Sequence, residues 1–227
     1  MINNQITKGW LLLIVLIQII SAGATERNWN IAGLHTASEA AYLTEIEKEI
    51  ILEINKLRSD PARYAEEYIE PLAKKFDRKV LYYPGDNPLL TNEGISAVHE
   101  CVRELKRQQP IPLIYPSPGL TKAARDHVKD QSKTGKTGHT GGDRSSMRNR
   151  VERYGTWQSS IAENIAYGAK TARQIVVYLL IDDGVRNRGH RKNMLNPGFK
   201  MAGVATGTHP EYGFMSVMDF AGGYITN

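Results

Sequence analysis

The sequence predicts an α+β fold, on three observations. Apolar residues recur at helical spacing from Ile46 to Leu180. From Phe199 onward the apolar period falls to two. Helices therefore precede strands, the order of an α+β chain and not of alternating βαβ units. With 227 residues, 41% of them apolar and 23% charged, the chain can fill one core and is too apolar for a disordered one.

The elements follow in order. Lys8 is the only charged residue before Glu26, and Trp10 to Ile20 is apolar except for Gln18. That run falls short of the roughly 20 residues of a membrane span. Ala22-Gly23-Ala24 follows it, so residues 1–24 read as a signal peptide and Thr25 as the first mature residue. The expected location is secreted or periplasmic, with no transmembrane segment in the mature protein. Residues 25–47 form a lead-in and the start of the first helix. There Thr44 and Glu47 have capping-box spacing, and Ile46, Ile50, Ile54 and Leu57 make one apolar stripe. Asp60-Pro61 ends that helix and opens a second, which Pro71 ends. Residues 74–91 read as a loop with a turn at Pro84-Gly85-Asp86.

Ile95, Val98, Val102 and Leu105 mark a third helix, and four prolines keep residues 110–118 extended. Ser117-Pro118 opens a fourth, with Leu120, Ala123, Ala124, His127 and Val128 on one side. Met147, Val151 and Tyr154 suggest a short fifth. Thr171 to Asp182 gives a sixth, stopped by Gly184. Phe199 to Thr206 and Phe214 to Phe220 read as the strands of a hairpin.

Composition narrows the function. Cys101 is the sole cysteine, so no internal disulfide framework exists despite the export signal. Placed among the helical residues Val98 and Val102, it reads as a buried, inert thiol. The formal net charge of +5 is modest, and export argues against a nucleic-acid partner. Lys122, Arg125, Lys129 and Lys133 share one side of the fourth helix, a solvated face or a docking surface for anionic lipid or polysaccharide. Familiar catalytic patterns fail. His99-Glu100-Cys101-Val102-Arg103 has Arg where a zinc-protease helix needs its second His. There is no nucleophile elbow and no phosphate-binding loop.

What remains is a set of polar residues read as lying at turns. His139 lies in the glycine-rich run from Gly135 to Gly142, Glu163 precedes Asn164, and His190 lies between Gly189 and Arg191. Asp182 and Asp183 close the sixth helix, where two carboxylates oppose the helix dipole and call for compensation from Arg186, Arg188, a histidine or a metal. Two histidines with carboxylates are a mixed N/O donor set for a divalent metal such as zinc.

The same residues carry a resemblance. Ala162-Glu163-Asn164-Ile165-Ala166-Tyr167-Gly168, Gly138-His139-Thr140-Gly141, and Gly189-His190-Arg191-Lys192-Asn193-Met194-Leu195-Asn196-Pro197 occur in one order, followed by Ala202-Gly203-Val204-Ala205. Together with Asn55-Lys56-Leu57-Arg58 they resemble the CAP superfamily of cysteine-rich secretory, antigen 5 and pathogenesis-related proteins, in its bacterial form. The resemblance spans residues 48–224 and assigns a CAP domain to 48–227. It implies a three-layer α–β–α sandwich whose cleft is lined by two His and two acids. His139, Glu163 and His190 match three of those positions. The fourth falls to Asp182 or Asp183, with Tyr178 near the family's Trp. His139 and His190 are then the metal ligands, and Glu163 ties loops together more than it turns over a substrate. The function expected is a non-catalytic binding module for a divalent cation or a small, lipid-like ligand. A metal-dependent hydrolase or protease, with Glu163 or an Asp as base, and a structural protein of the cell surface are the alternatives.

Overall fold

A computed structural model describes residues 28–227; the signal peptide assigned to 1–24 and the start at Thr25 lie outside the described residues. A single turn, α1 (Ile31–Leu34), precedes α2 (Glu45–Ser59). The predicted capping box forms, with the Thr44 N–H donating to Glu47 at 2.9 Å, and Ile50, Ile54 and Leu57 are buried. Asp60 caps α3 (Pro61–Tyr64), accepting from the Arg63 N–H at 3.0 Å. Pro71 does not stop this segment. The chain continues as a π turn (Ala65–Ile69) and a 3-10 turn (Glu70–Lys75), since proline removes a donor and the helix changes pitch around it.

The region read as a loop holds three two-residue strands, β1 (Phe76–Asp77), β2 (Val80–Leu81) and β3 (Leu89–Leu90), which pair in that order. Strands this short leave no periodic signal. Next come α4 (Ile95–Leu105), β4 (Tyr115–Pro116), α5 (Pro118–Thr134) and α6 (Met147–Glu152). The Ser117 hydroxyl caps α5, and Gly135 ends it in the left-handed conformation (φ 65°), which glycine adopts without penalty.

β5 (Gly155–Tyr167) is the element the sequence concealed, and it carries Glu163, which is therefore on a strand and not at a turn. Its first half is polar, and Ser159 at φ 70° lies where the register slips between Gln158 and Ile161. That bulge breaks the alternation that marks a strand. α7 (Ala172–Ile181) ends at Asp182, itself left-handed at φ 55°, two residues before the glycine expected to stop it. His190 likewise lies in a helix, the short α8 (Gly189–Met194), and β6 (Met201–Gly207) and β7 (Met215–Thr226) close the chain as the predicted hairpin.

The main sheet runs β4-β6-β7-β5, antiparallel except for β4 beside β6. One face packs on α5 and α6 through Leu120, Ala124, Val128, Val151, Ala205 and Val217. The other packs on α2, α4 and α7 through Ile54, Cys101, Ile175, Val204, Met218 and Phe220. The result is the expected α–β–α sandwich, and it is closely packed. A Cβ on Gly203 of β6 would stand 2.0 Å from the Leu120 backbone, so glycine is what lets α5 lie against the sheet. No helix among the described residues is long and apolar enough to cross a membrane.

Candidate functional site

Side chains of successive strand residues point to opposite faces, and on the edge strand β5 that alternation divides the site in two. Glu163 points to the α5–α6 side and is 6% exposed. One of its oxygens meets His139 Nδ1 at 2.8 Å, and the other accepts from Arg150 Nη2 at 2.7 Å. Arg150, buried on α6, also donates to the carbonyls of His139 and Ser145 at 3.2 Å each. One guanidinium thus fixes both the carboxylate and the loop that carries the histidine. The His139 side chain is 56% exposed, so its ring faces solvent while its Nδ1 is tied inward. Burial opposes the charge on Glu163. The bond from His139 and the field of Arg150 outweigh that opposition, and the carboxyl lies below its ordinary value. In return, the bond to Glu163 raises His139 above the ordinary imidazole value.

The loop before α6 is tied down by further groups. His127 Nε2 lies 2.8 Å from the Gly138 carbonyl, and Gln131 Nε2 donates to the same oxygen at 2.6 Å. The Gly138 N–H donates to the Tyr167 hydroxyl at 3.0 Å, and that hydroxyl donates to Gln131. Burial lowers the His127 pKa, and because a carbonyl oxygen only accepts, the ring carries its proton on Nε2 and donates it there.

Asn164 points the other way. Its amide donates to the His190 carbonyl at 3.0 Å and accepts from Asn193 at 2.8 Å, docking α8 on the strand. Asp182, at the end of α7, accepts from the His190 N–H at 3.0 Å and meets His190 Nδ1 at 2.6 Å. Asp183 does something different: it accepts from the N–H groups of Asn92 and Glu93 and anchors the turn before α4. Of the two aspartates, Asp182 is the one that holds the histidine. The compensation expected at the C-terminus of α7 comes from His190 at the Asp182 carboxylate and from arginines at the last carbonyls of the helix. Arg188 donates to the Asp182 carbonyl and to Glu93, and Arg191 donates to the carbonyls of Leu180 and Ile181 and to Glu100.

Beside this second histidine lies a cleft of about 300 Å³. Phe76, Leu81, Leu89, Leu90, Leu179 and Ile181 line it, with Tyr178, Asp182, Asp183 and His190 among its polar groups. Leu90 on the rim is 74% exposed. The short strands β2 and β3, missed in the sequence, supply one wall.

The two histidines are therefore held by separate carboxylates, His139 by Glu163 and His190 by Asp182. Among the described residues no three His, Cys, Asp or Glu side chains come together in a way that could hold a metal ion. Sequence reasoning passed over Arg150, although it falls on the same inward side of α6 as Met147 and Val151. It also passed over Asp219, which reads as one more residue of a strand.

The chain matches the family model of the cysteine-rich secretory protein (CAP) family over residues 52–220, and it belongs to that family. No curated protein matches it. Among solved structures it is similar to an extracellular protein containing an SCP domain from Bacillus anthracis, at 19% identity and a TM-score of 0.40, covering 56% of this chain and 38% of that one. It is also similar to an outer surface protein of Borrelia burgdorferi, at 15% identity and a TM-score of 0.41, covering 54% of this chain and 86% of the other. A cysteine-rich secretory protein from Staphylococcus aureus matches at 15% identity and a TM-score of 0.34, over 56% of this chain and 37% of that one. The chain thus spans well under half the length of two of these three proteins.

Proposed function

We propose that this protein is an extracytoplasmic binding module without catalysis, and that a small apolar, lipid-like ligand occupies the cleft beside Asp182 and His190. The observation that carries the reading is the lining of that cleft: leucines, an isoleucine and a phenylalanine around about 300 Å³, with a few polar groups at one side. Small-molecule sites have this make-up, an apolar wall for affinity and a few fixed polar groups for orientation, at volumes from about 300 Å³ upward. The exposed Leu89 and Leu90 form its mouth. The reading of residues 1–24 as an export segment and membership of the cysteine-rich secretory protein family support a location outside the cytoplasm.

The hydrolase alternative is disfavoured by the same geometry. Glu163 is buried and gives both oxygens to other side chains, so it is not free to take a proton from water. The test is binding of an environment-sensitive apolar fluorophore to the mature protein, with displacement by a long-chain fatty acid. Leu89→Asp/Leu90→Asp, both at exposed positions, should abolish the signal while leaving the melting temperature unchanged. Equal binding by parent and variant would remove the cleft from consideration.

A further inference from the structure

Behind His139 and Glu163 stands a second carboxyl group. Asp219 on β7 is the direct cross-strand partner of Glu163 on β5, so both side chains project from the same face of the sheet. Directly opposed residues of an antiparallel pair bring their Cβ atoms to about 4.5–5.5 Å. Asp219 is fully buried, and among the described residues no donor reaches either of its oxygens. The polar group that the strand register sets opposite it is the Glu163 carboxyl.

The nearby cations do not balance two anions. Arg150 is committed to Glu163 and to two carbonyls, and its remaining Nε meets no acceptor. The other groups around the pair are His139 on its loop, neutral His127 on α5 and Tyr224 on β7. None of these donates to Asp219. A second buried carboxylate with no donor of its own, sharing one arginine with Glu163, is costly to keep ionised, and keeping a proton removes the cost. We infer that Asp219 belongs to this site as its neutral acid, donating its proton to Glu163 so that two carboxyl groups share one negative charge behind His139. Burial, and then the charge of Glu163, push the Asp219 carboxyl well above its ordinary range, in keeping with the geometry. Asp219 is a positioning residue: it touches no solvent and acts on the exposed imidazole through Glu163.

The sign of the pH dependence follows. A carboxyl protonated in the native state and ionised in the unfolded chain gives the native state one extra proton. The folding constant then falls about tenfold per pH unit above the ordinary Asp range, near pH 4, until the native acid ionises. The substitution Asp219→Asn puts an amide in place of the neutral acid, able to donate to Glu163 without titrating.

The experiment uses the mature protein labelled with ¹³C at the aspartate carboxyl carbons, followed by NMR across pH. One aspartate carbon should remain at the neutral-acid position at pH 7 in the parent and vanish in Asp219→Asn. The variant should lose the tenfold-per-unit slope in its denaturation midpoint and leave the His139 titration unmoved. If Asp219 were ionised, removing its charge would lower the His139 pKa and no neutral carbon would be seen; that result overturns the assignment. Should the variant fail to fold, the parent spectrum decides alone, since absence of a neutral aspartate carbon at pH 7 refutes it.

Discussion

Glu163→Gln keeps the shape of the side chain at the centre of the His139 network and removes its charge. In the parent, Glu163 and Arg150 form an ion pair at 2.7 Å with both side chains only 2% exposed. Losing one member of a buried pair typically costs about 3–5 kcal/mol, because the other charge is left without compensation. Here Arg150 keeps its bonds to the carbonyls of His139 and Ser145, and the Gln oxygen still accepts one bond. The Gln amide, however, turns a donor toward another donor, Arg150 or His139. The expected loss is about 2–4 kcal/mol, which for a domain of this size lowers the melting temperature by about 4–16 °C. Because the native Glu163 carboxyl is held below its ordinary value, this stabilisation is present above the unfolded carboxyl range, near pH 4.3, and disappears as pH falls through the native value. Parent and variant should therefore differ at pH 7 and converge in acid. The assay is urea denaturation by far-UV circular dichroism, with imidazole NMR alongside. His139 owes its raised value first to Glu163, so its titration should shift downward in the variant. A loss below about 0.5 kcal/mol, within the range of an ordinary surface change, together with an unmoved His139, would refute the reasoning.

Two further outcomes are expected. Arg58 is fully buried and donates to the carbonyls of Pro112, Met194, Asn196 and Phe199 at 2.7–3.1 Å, with no ion pair to a carboxylate among the described residues. Arg58→Met keeps most of the volume but orphans these acceptors, and the urea midpoint should report a loss of about 3 kcal/mol or more, with less than about 1 kcal/mol counting against the role. Cys101 is buried, donates to the Leu180 carbonyl at 3.4 Å, and has its thiol pushed up to about 12 by burial. A colorimetric disulfide reagent at pH 8 should leave the native protein unmodified and label one thiol in denaturant; stoichiometric labelling without denaturant would show the thiol to be reachable.

Much of the fold was legible because its signals are local. The capping box at Thr44, the Asp60-Pro61 junction, the caps at Ser117 and Thr171, and the period-two hairpin at the end each need only a few neighbouring residues to be read. β5 was hidden because its pattern is interrupted by the bulge at Ser159 and its first half lies at a polar sheet edge. The strands flanking the cleft were hidden because two residues carry no period. Of the candidate site, His139, Glu163, His190, Asp182 and Asp183 could be named from sequence motifs. Their partners could not, since Arg150 and Asp219 are ordinary residues of a helix and a strand until the sheet is assembled.

By itself the sequence determined the α+β class, the absence of a disulfide framework, the order of the helices and the motifs of a CAP domain, because periodicity, capping and cysteine count are properties of neighbouring residues. Only the tertiary structure decided that Glu163 belongs with His139 and Arg150, that Asp182 and not Asp183 holds His190, and that the two histidines are fastened separately. The reason is the pleat of β5. Adjacent residues Glu163 and Asn164 face opposite sides of the sheet, and cross-strand register sets Asp219 against Glu163 from a position far along the chain.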